Sequence, residues 1–191
     1  LNNTGEALNQ YKTLIEQYPN SDEANDALDD VKTISVETGK ANDYVDFMKK
    51  AGKPLSVDAE DSLTFSAAEA QYENGNVTAS LNAFNGYLQK FPEGAHTMDA
   101  SFYRGEIYNS KGDWNNALSG YEAVVADAPN KYAEKSALTA ARIYFFEVKN
   151  YAKAETYYSQ LKQFTTSQEN KLEAMRGLLR SQYQQQKWTD A

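Results

Sequence analysis

The chain has no cysteine, a single histidine (His96) and only four prolines in 191 residues. Without cysteine, disulfides, thiol catalysis and thiolate zinc sites are excluded. One histidine gives a metal cage or a nucleophile–histidine pair little to build on. No apolar run approaches the roughly 18 residues that a membrane-spanning helix needs. Basic residues are outnumbered, 19 Lys+Arg against 27 Asp+Glu for a net charge of −8. Phosphate binding needs a basic face, so nucleic acid is not expected as a partner. Period-two alternation is missing as well, so no strands are expected. There is no Gly-rich phosphate loop, no zinc spacing and no nucleophile in the company of a histidine. Hydrophobic residues still make up 41% of the chain and charged residues 24%. That is enough for a sizeable core and too apolar for a disordered chain.

What is present is a rhythm. Pro19, Pro54, Pro92 and Pro129 are spaced 35, 38 and 37 residues apart, and proline stops helices. Shifted by 37 residues, Val77, Trp114, Tyr151 and Trp188 coincide. So do Leu81, Leu118 and Glu155; Phe84, Tyr121 and Tyr158; and Tyr87, Val124 and Leu161. Gly75 maps onto Gly112, and Ala117 onto Ala154 and Ala191. A sustained period of this length identifies a stacked-repeat architecture. Within one period, Trp114, Ala117, Leu118, Tyr121, Val124 and Val125 form one face of an amphipathic helix. Asp113 stands at the N-cap position, and Pro129 lies just past the end. Thr166 to Glu169 has capping-box form. The spacing predicts helices over about 5–18, 22–38, 41–51, 58–73, 77–90, 96–110, 114–127, 132–148, 151–164 and 168–185, with another beginning at 188. Neither end carries a start or leader, and the chain closes inside that last helix, so it is expected to be a fragment of a longer protein.

These positions resemble the tetratricopeptide repeat, whose signature pairs Gly and Tyr on a helix A with Ala, an aromatic, a small or apolar residue and Pro on a helix B. The fullest copy is Gly105, Tyr108, Gly112, Trp114, Ala117, Tyr121, Val124 and Pro129. The next has Tyr151, Ala154, Tyr158 and Leu161, with Arg142 in place of the glycine and Thr166 in place of the proline. The one before has Ala68, Gly75, Ser80, Phe84 and Pro92, and the first B helix supplies Ala7, Tyr11, Leu14 and Pro19. Residues 39–56 depart most, with Tyr44 where alanine is expected. The resemblance implies an all-α, right-handed superhelix (a TPR-like solenoid) of stacked helical hairpins. It would run as a single array over 1–191: a B helix over 1–20, repeats at about 21–56, 57–93, 94–130 and 131–166, and an incomplete one over 167–191. The Tyr18-Pro19-Asn20-Ser21 and Phe91-Pro92-Glu93-Gly94 boundaries are similar to those of bacterial envelope repeat proteins, such as the Tol-Pal coordinator and barrel-assembly lipoproteins. The Tyr-, Asn- and Gln-rich style is similar to repeat proteins of Bacteroidetes. That variant implies a periplasmic or cell-envelope location, with the cytoplasm as the alternative.

The resemblance also implies a non-catalytic scaffold, without cofactor or metal, that binds a protein or peptide in a groove lined by the A helices. The groove candidates are Asp26, Asp29 and Thr33; Phe65, Glu69 and Tyr72; Phe102, Glu106 and Asn109; Thr139, Ile143 and Phe146; and Arg176, Arg180 and Tyr183. The aromatics among them invite either ligand stacking or simple packing. Residues 1–130 hold 21 acids and 9 bases, net −12, and residues 131–191 hold 6 and 10, net +4. Such a gradient suits the orientation of an extended or helical peptide. Two other readings stand beside the scaffold: a sensor or regulatory part of a signalling protein, and a module for a glycan or small ligand. The acidic run Asp22, Glu23, Asp26, Asp29 and Asp30 lacks the glycine turn and closing Glu of a calcium loop, and is read as a solvated helix face. His96 is read as a solvated surface residue.

Overall fold

A computed structural model of the chain describes residues 4–187. The expected helix start at Trp188 and the register match at Ala191 lie outside the described residues. Within them are ten α-helices and one π-helical turn, and no strand. The helices are α1 (Thr4–Gln17), α2 (Asp22–Glu37), α3 (Ala41–Lys50), α4 (Val57–Glu73) and α5 (Val77–Lys90), followed by α6 (Thr97–Ser110), α7 (Trp114–Ala126), α8 (Ala133–Arg142), α9 (Tyr151–Phe164) and α10 (Gln168–Gln184). The π-helical turn, Ile143–Glu147, follows α8 directly. The chain divides into two compact units, Leu1–Thr97 and Met98–Ala191.

The helix limits follow from local chemistry. Side chains of Ser21, Ser56, Asp113, Asn150 and Ser167 each accept a backbone N–H from the first turn of α2, α4, α7, α9 and α10, satisfying a donor that the helix leaves open. At the other ends, the N–H groups of Asn76, Asp113 and Lys187 reach back to the carbonyls of Gln71, Tyr108 and Gln182. That is the closure of a helix through a left-handed residue.

In the first unit, Ile15, Ala24, Ala27, Val31, Tyr44, Phe47, Met48 and Leu63 form one buried cluster of α1 to α4. Tyr44, the residue that departs from the repeat pattern, is part of it. The hairpin α4–α5 closes over Phe84 and Tyr87, both fully buried. In the second unit the core is Phe102, Ala117, Leu118, Tyr121, Val124, Ala137, Ala140, Ala154, Tyr158 and Leu161 with their neighbours. Small residues set the spacing: a Cβ added to Gly120 of α7 would sit 2.6 Å from the Ser101 carbonyl oxygen of α6. Of the aromatic residues in the 37-residue register, Tyr121, Tyr158 and Phe84 are buried, whereas Trp114 and Tyr151 are half-buried.

Consecutive A-type helices of the second unit are laced by ion pairs. Lys131 meets Asp99 at 2.5 Å, Lys135 meets Glu106 at 2.5 Å, and Arg142 meets Glu173 at 3.1 Å. The loop before α10 is pinned by Glu134, which accepts from Thr165 Oγ1, Thr166 N and Asn170 Nδ2. The Asn170 amide is the largest of the donors that hold this carboxyl below its ordinary range.

Candidate binding surface

Within each unit, aromatic residues expected to line the groove are packed inside. Phe65 of α4 is buried; its ring stacks on His96 at 4.4 Å and lies 5.8 Å from Tyr87. Phe102 of α6 is buried too and stacks on Tyr132 at 4.0 Å. Ile143 is buried beside Tyr144. Phe65 and Phe102 are therefore corrections to the expected lining, because their side chains face the packing between helices. Glu69 and Tyr72 are half-buried, and Tyr72 packs 6.4 Å from Phe84. Asp26, Asp29 and Thr33 on α2 are exposed, as are Arg176, Arg180 and Tyr183 on α10. His96 is a further correction. It is half-buried, with its ring on Phe65 and its backbone N–H donated to the Tyr87 hydroxyl at 3.0 Å.

Glu106 is committed to structure. It accepts from the Tyr121 hydroxyl at 2.6 Å and pairs with Lys135. The analogous clasp in α4–α5 is drier: Tyr87 donates to Asp61 at 2.5 Å, and Asp61 also accepts from Ala95 N at 2.7 Å. Burial and the bond to Asp61 push the Tyr87 hydroxyl up to about 12. Around Glu122 of α7, Tyr144 donates at 2.6 Å. Burial first, and then this carboxylate, raise both Tyr144 and Tyr157. These tyrosine–carboxylate pairs tie neighbouring helices together.

Four of the expected residues do converge. Asn109, Thr139, Ile143 and Phe146 share one hollow of about 370 Å³ with Trp114, Arg142 and Glu147, all within the second unit. The π-helical turn shapes it. The turn closes with the Val148 N–H on the Ile143 carbonyl at 3.0 Å, sending Ile143 and Tyr144 inward while Phe146 stays 53% exposed. Such turns recur at functional sites. The floor is apolar, from Phe146, Trp114 and the edge of Ile143. The rim carries an amide, a hydroxyl, a guanidinium and a carboxylate. Arg142 is held there by Glu173, to which its Nη2 donates at 3.1 Å. Trp114 and Arg142 were readable only as a core residue and a missing glycine; nothing in the spacing placed them on a surface together.

Beyond this hollow, the row Leu172, Met175 and Leu179 on α10 is about half exposed and lines a shallow depression with Lys162, Arg176, Leu178 and Gln182. Among the described residues, no group of three or more His, Cys, Asp or Glu could hold a metal ion. Among them, too, no helix is long and apolar enough to cross a membrane.

Residues 1–21 and 99–131 match the family model described as Tetratricopeptide repeat. The second stretch contains Gly105, Tyr108, Trp114, Ala117, Tyr121 and Pro129. No curated protein matches the chain by sequence. Among solved structures, it is similar to the nearly identical TPR-like repeats of a Podosopora anserina kinesin light chain candidate, at 14% identity and a TM-score of 0.50, over 91% of this chain and 87% of that one. It is also similar to a tetratricopeptide repeat protein of Parabacteroides merdae, at 16% identity and a TM-score of 0.48, over 94% of this chain and 66% of that one. The sequence match covers two separate stretches, and the first of these structures carries the architecture across most of the rest: an all-α fold of tetratricopeptide-like helical hairpins.

Proposed function

We propose that the chain is a non-catalytic scaffold that binds a protein or peptide segment on the A-helix surface of its second unit. The observation that carries this reading is the Asn109–Trp114–Thr139–Arg142–Phe146 hollow. An exposed aromatic floor with a mixed polar rim takes one apolar anchor side chain and pairs the flanking backbone. Rings of this kind supply much of the energy at interfaces, and a preformed surface loses little entropy when it binds. Because Phe65 and Phe102 are packed inside, the support they lent to a glycan-stacking surface is gone.

A library of random short peptides displayed on phage tests the proposal. Selection on the purified chain should enrich sequences with one aromatic or long aliphatic residue flanked by polar ones. Phe146→Ala should weaken the selected peptides at least tenfold, within the range of about 1–3 kcal/mol expected of a central aromatic contact, with an unchanged helical circular dichroism spectrum. No enrichment, or affinity indifferent to Phe146→Ala, would remove the hollow from consideration.

A further inference from the structure

We propose that the first unit carries a docking site of its own, between the start of α4 and the loop that follows α5, for a partner segment in which a lysine or arginine stands beside an apolar residue. This goes beyond the peptide-binding reading and uses none of its residues.

The site begins with the buried clasp of this hairpin. Asp61 accepts from the Tyr87 hydroxyl through one oxygen and from Ala95 N through the other. A Cβ on Gly94 would stand 2.5 Å from that hydroxyl and 2.8 Å from the second carboxylate oxygen. The clasp therefore admits only glycine at 94, and the surface over it is left bare. The result is a depression of about 510 Å³, with Val57, Phe91 and Pro92 as its apolar part and Asp58 and Glu93 among its acids. Val57 is 72% exposed, Pro92 is exposed and Phe91 is half-buried. Apolar side chains gathered in one open hollow and rimmed by polar groups mark a contact surface.

The repeat itself shows what such a place holds. One period of 37 residues on, Lys131 and Tyr132 stand where Gly94 and Ala95 stand here. Tyr132 lies on Phe102 and donates to Asp99 at 2.8 Å. Lys131 pairs with the same carboxylate and lies 4.7 Å from the centre of the Tyr132 ring. In the first unit His96 supplies the ring, stacked on Phe65, the counterpart of Phe102. The lysine has no counterpart at position 94. Lys90 also borders the hollow, but its charge is met by Glu60.

Charge decides the occupant. Asp58 and Glu93 are both exposed, and among the described residues neither is in an ion pair. Residues 1–97 hold 16 acids and 7 bases, net −9, so the field of the whole unit draws a partner of the opposite sign. The positive end of α4 offers an anion little, since Ser56 already accepts from its first turn and Asp58 and Glu60 stand in it. A cation seated beside Asp58 and Glu93 gains charge-assisted bonds, and its apolar neighbour covers Val57 and Pro92. A neutral or acidic segment would gain only the second.

Phage display of random short peptides on the Phe146→Ala chain, in which the second-unit hollow is disabled, tests this site by itself. Selection should enrich peptides with Lys or Arg next to an aliphatic or aromatic residue, and their affinity should fall as salt is added. Asp58→Lys with Glu93→Lys should weaken the selected peptides at least tenfold with the helical spectrum intact; Asp58→Asn with Glu93→Gln, which removes charge without reversing it, serves if the first chain is unstable. Val57→Ser should weaken them at least threefold. Exchanging the peptide's basic residue for glutamate should abolish binding to the chain with Asp58 and Glu93 and restore part of it on the charge-reversed one. Selection of acidic or uncharged peptides, or none at all, overturns the proposal. So does affinity indifferent to the two carboxylates or to Val57. These outcomes leave the second-unit reading untouched, because that reading is decided by Phe146→Ala in the otherwise unaltered chain.

Discussion

Two hairpins, α4–α5 in the first unit and α6–α7 in the second, are built on one register and locked in different ways. Both bury an aromatic ring at the same repeat position, Phe84 in one and Tyr121 in the other. Both tie a tyrosine hydroxyl to a carboxylate on the preceding helix. In α4–α5 that carboxylate is Asp61, buried, and the same hydroxyl also accepts the His96 N–H. In α6–α7 it is Glu106, half-buried and already paired with Lys135. The apolar contribution is therefore common to the two, and the polar contribution depends on how dry the carboxylate is. A hydrogen bond to a charged group deep in the fold is worth more, and costs more to break, than one at its edge.

The largest effect should come from the shared part. Tyr121→Ala removes a fully buried ring and should destabilise the protein by about 3–5 kcal/mol, and Phe84→Ala should cost the same. Chemical denaturation monitored by circular dichroism measures both. A loss under about 1 kcal/mol at either position would mean that the ring is not wedged between helices.

The polar part should separate the hairpins. Tyr87→Phe leaves Asp61 with one remaining donor, Ala95 N, and strands the His96 N–H; it should cost about 2 kcal/mol. Tyr121→Phe leaves Glu106 with Lys135 and access to water, and should cost about 1 kcal/mol or less. Equal losses would erase the distinction. Alkali probes the same contrast. Tyr87 is held neutral up to about 12, above the ordinary tyrosine value near 10. The folded state therefore disfavours its ionisation. The stability this contributes is complete below about pH 10 and is lost as pH rises through about 12. Tyr144 and Tyr157, raised by burial and by Glu122, act in the same direction. Absorbance at the phenolate band should show these tyrosines ionising only together with loss of helix.

Much of this architecture is legible in the sequence, because helix ends are decided locally. Ser21, Asp113, Asn150 and the prolines mark boundaries through their own backbone chemistry, and the helix limits from spacing fall within a residue or two of those observed, except that the helix expected over 132–148 is α8 to Arg142 and then the π-helical turn to Glu147. The inner surface is less legible. Phe65 and Phe102 lie three residues before Ala68 and Gly105, and a three-residue step in a helix returns to the same face; they share the packing side with the small residues. His96 reads as a loop residue because its partner, Phe65, is distant in sequence. Phe146 is exposed because the helix widens at Ile143–Glu147, and a run of Ile, Tyr, Phe and Phe gives no sign of that.

The smallest effect probes the repeat at its turns. Gly75, Gly112, Lys149 and Gln186 stand 37 residues apart, and all four have left-handed backbones, with φ of 72°, 71°, 56° and 60°. Only the first two are glycine, the residue that adopts this conformation without a steric penalty. The same turn is thus unstrained after α6 and strained after α8. Gly112→Ala should destabilise by about 1 kcal/mol, since the added Cβ meets only the Trp114 ring at an ordinary 3.6 Å and the cost is conformational. Lys149→Gly relieves the strain but gives the unfolded chain more freedom, so the net gain should be smaller, roughly 0.5 kcal/mol. Opposite signs at positions 112 and 149 in paired denaturation curves are the expected result. A loss at both would show that the Lys149 side chain contributes more than its backbone costs, and that the turn at Lys149 is held by contacts rather than by the conformation it shares with the turn at Gly112.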